Sequence, residues 1–218
     1  MNINEDQINE IVKNILRKLV NEPTSIVVSS GSAGNATEKS ENGVYSCMDS
    51  AIKAAKEAQL KLSQLSLERR KEIINSMRET VQLNAETLAT LAVEETGLGR
   101  IKDKIQKNLL AALKTPGVEE ISPIAYTGDN GFTLVEKAPY GVIGAITPST
   151  NPSETVICNA IGMIAAGNSV VFNPHPSAKN VTKHTIKLLN KAIIVRIFSN
   201  IPLNKLMDST GKPFSKIK

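Results

Sequence analysis

The sequence predicts an α/β fold: a parallel sheet with covering helices, preceded by an α-helical segment and a β-hairpin excursion. Three observations carry that prediction. From Tyr140 to Ala192 the chain reads strand, loop, helix, strand, loop, helix, the repeat that builds parallel sheets. From Met48 to Ala112 apolar residues recur at helical spacing, and over residues 118–137 the period shortens to that of strands.

Taken in order, Asp6 to Val20 is an amphipathic helix with Ile8, Ile11, Val12, Ile15 and Leu19 on one stripe. A helix this short is marginal alone and needs a partner surface. Residues 21–43 are mostly Ser, Gly, Asn, Thr and Glu, too polar to order themselves, and read as a flexible linker. The helical segment follows. Ala51, Ile52, Ala55 and Ala58 form one face, and Ile73, Ile74, Met77, Val81 and Leu88 continue the pattern. Ser66 caps a helix start, and Gly97 stands at a helix stop. Glu94 and Glu95 read as solvated or capping, because adjacent carboxylates on a helix point in different directions. Tyr126–Gly131 is turn-rich, and Phe132–Glu136 alternates like a half-exposed strand.

In the strand–helix unit, Val142 to Thr147 is the first strand, bounded by Gly141 and Pro148. Asn151 or Thr150 caps the next helix, with Pro152 in its first turn. Val156, Ile157, Ala160, Ile161, Ile164 and Ala165 form its apolar stripe, and Gly167-Asn168 ends it. Ser169 to Phe172 is the second strand, and Asn173-Pro-His-Pro176 is the loop leaving its carboxyl end. Ser177 caps a last helix with Val181, Thr185, Leu188, Leu189 and Ala192 inside and Lys179, Lys183, Lys187 and Lys191 outside. Ile194–Phe198 has the composition of a further strand, and the rest of the tail has no sustained period.

Two segments, Ala138-Pro-Tyr-Gly-Val-Ile-Gly-Ala-Ile-Thr-Pro-Ser-Thr-Asn-Pro152 and Ala165-Ala-Gly-Asn-Ser-Val-Val-Phe-Asn-Pro-His-Pro176, resemble the start of the cofactor-binding domain of the aldehyde dehydrogenase superfamily. More narrowly, they look like the CoA-acylating acetaldehyde and propionaldehyde enzymes of bacterial microcompartments. The similarity covers roughly residues 40–193, with a further match over the first eighteen. The resemblance implies a partial Rossmann-like sheet within an incomplete aldehyde dehydrogenase fold. It divides the chain into a targeting helix (1–20) that docks on a shell or scaffold protein through residues 6–20, a linker (21–43), the amino-terminal part of an NAD-binding domain (44–194) and an atypical basic tail (195–218). The hairpin region resembles the excursion that joins the family's oligomerisation sheet, so a homo-oligomer is implied for the full-length family.

The same resemblance implies the chemistry: short aldehyde, CoA and NAD give acyl-CoA and NADH. That reaction needs an activated cysteine, a donor pair for the oxyanion and a pocket for nicotinamide. In the family an Asn amide from the first loop serves the oxyanion. A gapless match puts Thr150 there, with Asn151 one residue later, so both are candidates. Ile146, Thr147, Pro148 and Ser149 match positions on the nicotinamide-ribose side. Asn173, Pro174, His175 and Pro176 match the loop that holds the adenosine ribose. Asn173 and Pro176 replace the Lys and Glu usual in the superfamily, which fits a branch that also admits CoA. His175 either contacts the cofactor or is a loop residue held by two prolines, and His184 reads as a partly buried structural residue.

Cys158 lies in mid-helix beside Ile157 with no basic neighbour and reads as a small buried residue. The family's nucleophilic cysteine belongs to a later domain, so the chain is expected to be truncated before it and inactive alone. The alternative is a non-catalytic microcompartment cargo or interaction module.

Composition excludes several classes. Net charge is +5, but residues 195–218 hold +4 of it, and no basic patch interleaved with aromatics appears, so no nucleic-acid partner is expected. Two Cys and two His make neither a disulfide framework nor a metal cluster. No apolar run approaches the roughly 20 residues that span a bilayer, and the polar amino terminus is not that of a signal peptide. A cytoplasmic, microcompartment-associated protein without membrane contact is expected.

Overall fold

The computed structural model describes residues 42–198. The predicted helix over residues 6–20, all of the linker except Asn42 and Gly43, and residues 199–218 lie outside the described residues.

Helix α1 spans Met48–Ser63 and buries no residue fully. Its half-buried side carries Ala51, Ala54, Ala55, Gln59 and Leu62, whereas Ile52 and Ala58, expected on the inner face, are exposed. The helix is held to the second strand by polar links: Ser169 Oγ donates to Ala55 O at 2.8 Å and Gln59 Nε2 to Gly167 O at 3.3 Å.

Helix α2, Leu67–Thr96, is one continuous 30-residue helix. The Ser66 hydroxyl accepts from Arg69 N at its start, and Gly97, at φ 69°, closes its end through a bond to Val93 O. That left-handed conformation strains any residue with a Cβ, which is why glycine stops the helix there. Helix α3, Ile101–Lys114, packs on α2, and Arg78 Nη1 and Nη2 donate to Ala112 O and Thr115 O at its carboxyl end.

A short 3₁₀ turn at Val118–Ile121 leads to an antiparallel hairpin, β1 (Ile124–Gly128) and β2 (Gly131–Val135), with Gly128 opposite Gly131. The first half of the stretch read as turn is therefore strand. Every residue of both strands is exposed, including Tyr126 at 60% and Phe132 at 65%. Alternation predicted one covered face, but within the described residues the hairpin pairs only with itself.

Strand β3 (Val142–Thr147) pairs in parallel with β4 (Ser169–Pro174), Val142 opposite Ser169 and Thr147 opposite Pro174. Helix α4, Pro152–Ala165, makes the crossover. Its predicted stripe is the core: Val156, Ile157 and Ile161 have no exposed surface and Ala160, Ile164 and Ala165 are buried beside them. Each such Val or Ile contributes about 1.5–3 kcal/mol, so together they outweigh any single cap and this stripe dominates the packing. It meets Ile73, Ile74, Met77, Val81 and Leu88 of α2 and Ala111 and Ala112 of α3. Gly167, at φ 81°, ends α4. An added Cβ there would be strained by that φ and would also press on Arg70 Nη1 at 3.1 Å, so the conformation favours glycine.

Helix α5, Lys179–Phe198, departs from expectation at both ends. Ser177 sits in a preceding 3₁₀ turn, Pro176–Ala178. The cap comes instead from Glu95, whose two carboxylate oxygens accept from Asn180 N and Val181 N at 2.7 Å each. At the far end Ile194–Phe198 stays helical. Ser76 Oγ donates to Ala192 O at 3.2 Å, and Arg196 pairs with Glu72 at 3.0 Å, tertiary links that outweigh the β preference of a run rich in Ile and Val.

Candidate functional site

Parallel pairing fixes where the two loops emerge. Ile146 stands opposite Asn173 and Thr147 opposite Pro174, and His175 N donates to Thr147 O at 3.1 Å. The connections that follow Thr147 and Pro174 thus leave the same carboxyl edge side by side, where open parallel sheets bind ligands; Asn173 and Pro174, expected in the second loop, are instead the last residues of β4.

The residues at that edge separate by exposure. Ala145 and Thr147 face the core, Thr147 being 1% exposed. Ile146 is 84% exposed on the opposite face, beside Gly144, where an added Cβ would meet nothing. Pro148, Thr150, Asn173, His175 and Pro176 are exposed, and Ser149, Asn151 and Pro174 are half-buried. All ten predicted residues therefore lie at one edge, although Thr147 turns its side chain into the core.

His175 is partly committed to its own loop. Its Nδ1 accepts from Ser177 N at 3.2 Å and lies 2.7 Å from Ser177 Oγ. With Nδ1 accepting, the neutral ring carries its hydrogen on Nε2, leaving an outward donor. His184 is half-buried away from these loops, as expected. Burial, and then the charge of Lys187, push its pKa below the ordinary histidine value.

Beneath the first loop lies a polar network that the sequence reading did not single out. Lys104, only 3% exposed, donates from Nζ to Thr150 O at 2.6 Å and lies 3.5 Å from Glu154 Oε1. Ser153 Oγ lies 3.1 Å from Glu154 Oε2 and 2.8 Å from Asn108 Oδ1, while Asn108 Nδ2 donates to Ala85 O at 3.3 Å. One turn after Lys104, Lys107 Nζ donates to Asn151 Oδ1 at 3.2 Å. A signal was present: Lys104, Asn108, Ala111 and Ala112 fall at i, i+4, i+7 and i+8, so the lysine sits on the buried stripe of α3.

Cys158 is half-buried and its Sγ accepts from Thr115 Oγ1 at 3.2 Å, a packed position in keeping with a structural role. Cys47 is exposed at the start of α1. Among the described residues no group of three or more His, Cys, Asp or Glu side chains is placed to hold a metal ion, and no helix is long and apolar enough to cross a membrane.

Comparison with known proteins gives this edge a context. Residues 20–201 match the model of the aldehyde dehydrogenase family. The chain is 47% identical over 192 residues to the acetylating acetaldehyde dehydrogenase EutE of Salmonella typhimurium, covering 88% of this chain and 38% of that protein. It superimposes with a TM-score of 0.69 on the propionaldehyde dehydrogenase of the Clostridium phytofermentans fucose utilisation microcompartment, at 52% identity over 73% of this chain and 36% of that one. The propionaldehyde dehydrogenase of Rhodopseudomonas palustris, solved with bound CoA and an acylated cysteine, superimposes at TM-score 0.69 and 46% identity, covering 72% and 36%. The chain spans less than two-fifths of the length of these relatives.

Proposed function

The chain belongs to the aldehyde dehydrogenase family, and from that premise we propose that it supplies the cofactor-facing half of a site for CoA-acylating oxidation of a short aldehyde. The reaction is aldehyde, CoA and NAD to acyl-CoA and NADH. One observation carries the reading: β3 and β4 pair in parallel, so both predicted loops stand on one edge.

The exposed face fits the group it would receive. Ile146 and the bare Gly144 beside it offer flat apolar ground, the surface on which a nicotinamide ring lies without losing polar contacts. When bound, NAD supplies the hydride acceptor. The chain's own residues do the rest by position. Ile146, Pro148 and Ser149 line the nicotinamide-ribose side, with Thr147 packed beneath them, and Asn173, Pro174, His175 and Pro176 the adenosine side, where the His175 Nε2–H offers a donor. Thr150 and Asn151 hold the donor position for the oxyanion. A preorganised donor there favours the transition state because it needs no reorientation as charge develops.

No thiol of this chain fits the nucleophile. Cys158 is packed against Thr115 and Cys47 lies at the start of α1, so the cysteine that attacks the aldehyde comes from elsewhere in the full-length assembly. The exposed apolar strands β1 and β2 are the association surface of that assembly, and residues 6–20 dock the protein on a microcompartment shell or scaffold.

Two measurements on the 218-residue chain test this. With propionaldehyde, CoA and NAD, no CoA-dependent NADH is expected; its appearance would overturn the assignment of the nucleophile to another segment. Titration with NAD should shift amide signals of Thr147–Asn151 and of Asn173 and His175 together. Shifts confined to one loop, or their absence at millimolar NAD, would sink the shared edge as a cofactor site.

A further inference from the structure

Thr150 and Asn151 are alternatives for one role, and α3 distinguishes them. Lys104 and Lys107 are one turn apart on α3, and each reaches a different atom of the loop after β3. Lys104 Nζ holds the Thr150 carbonyl at 2.6 Å. Lys107 Nζ holds Asn151 Oδ1 at 3.2 Å. An ammonium has three donors and no acceptor, so the Asn151 carboxamide must turn its oxygen toward α3. Its Nδ2, with two N–H donors, is then left on the side away from α3 and has no partner among the described residues. Thr150 has its carbonyl fixed and an exposed hydroxyl without a partner among the described residues.

We infer that Lys104 and Lys107 are positioning residues: together they lock the loop and select Asn151, with Nδ2 outward, as the oxyanion donor. Lys104 sets the backbone. It is buried against Glu154, which sits in the first turn of α4 and is itself tied through Ser153 to Asn108 of α3, so the loop is gripped from both sides. Lys107 sets the side chain. An amide whose oxygen were free would sample both orientations and lose half its donor geometry; a charged donor on the oxygen removes that choice. The inference rests on the reading of this loop as the donor loop, but its test does not need turnover.

The test uses the full chain without substrate. In Lys107→Met the Asn151 Nδ2–H2 signals should move toward those of a free carboxamide and the two protons should interchange faster. Lys107→Arg, which restores a donor, should return them. Lys104→Met combined with Glu154→Gln, which avoids stranding a buried carboxylate, should lower hydrogen-exchange protection of the Thr155 amide, bonded to Asn151 O at 3.1 Å, by about tenfold while amides within β3 and β4 keep theirs. Unchanged Asn151 signals in Lys107→Met would overturn the side-chain half. A uniform loss across loop and sheet in the paired variant would reduce Lys104 to general packing. Should the paired variant not fold, the Lys107 arm decides alone, since that contact is exposed. If both arms behave as expected yet Asn151→Ala costs nothing in an active assembly, the oxyanion reading fails and the positioning stands.

Discussion

Replacing Glu95 by alanine removes the side-chain cap that the described residues supply to α5 and isolates its worth. Both carboxylate oxygens accept at 2.7 Å from the first free amides of the helix, Asn180 N and Val181 N. A lost cap costs about 0.5–2 kcal/mol, and an anion at a helix amino terminus contributes about 0.3–1 kcal/mol more. Glu95 is half-buried and Asn180 exposed, which places the sum toward the lower end, near 1–2 kcal/mol by the same rules. For a folded unit of this size about 1 kcal/mol moves Tm by roughly 2–4 °C, so Glu95→Ala should melt about 2–8 °C lower. Glu95→Gln keeps one acceptor oxygen and loses the charge, so it should fall between. Glu94→Ala, one residue away on an exposed side chain, is the control and should stay within about 0.5 kcal/mol. Thermal melts followed by circular dichroism read all three. Equal losses for Glu94→Ala and Glu95→Ala, or none for either, would refute the bidentate cap.

Other positions give independent checks. Ile161→Ala empties a site with no exposed surface between α4 and its neighbours and should cost about 2–5 kcal/mol by denaturant titration, the largest loss among single α4 changes. His184 has a depressed folded pKa, so the unfolded chain binds the extra proton. Stability should therefore fall as pH drops through the ordinary histidine value near 6.5 and level off below the folded pKa, and His184→Gln should abolish that component of a Tm-against-pH curve. Cys47 should react with an alkylating reagent at the rate of a free thiol, and Cys158, half-buried against Thr115, far more slowly; equal rates would contradict the packing around α4.

What the sequence disclosed follows the range of each signal. The stripe of α4, the Ser66 start, the Gly97 stop and the two strands at Val142 and Ser169 are set by residues within a turn or two of one another, and each stands where the periodicity put it. Features that depend on distant partners were not legible. Glu95 and Val181 are 86 residues apart, so the nearby Ser177 was the visible cap. The Ile194–Phe198 run has strand composition, but Glu72 and Ser76 of α2 hold it as helix. The hairpin alternates as if half-covered, yet every residue of both strands is exposed among the described residues. Burial of Lys104 is hard to read from sequence because lysine on a helix is ordinarily solvated, although its spacing to Ala111 and Ala112 marks the buried side.

A hybrid enzyme tests most directly the proposal that the edge formed by β3 and β4 is the cofactor-facing half of an acylating site with Asn151 as donor. Residues 1–193 of this chain would be joined to the remainder of the propionaldehyde dehydrogenase of Clostridium phytofermentans, 52% identical over the shared part, and CoA-dependent NADH formation from propionaldehyde followed. The hybrid should turn over, Thr150→Ala should keep its rate, and Asn151→Ala should lower kcat by about 10²–10³. A folded hybrid that binds NAD but is indifferent to Asn151→Ala, or one that binds no NAD at all, would contradict it.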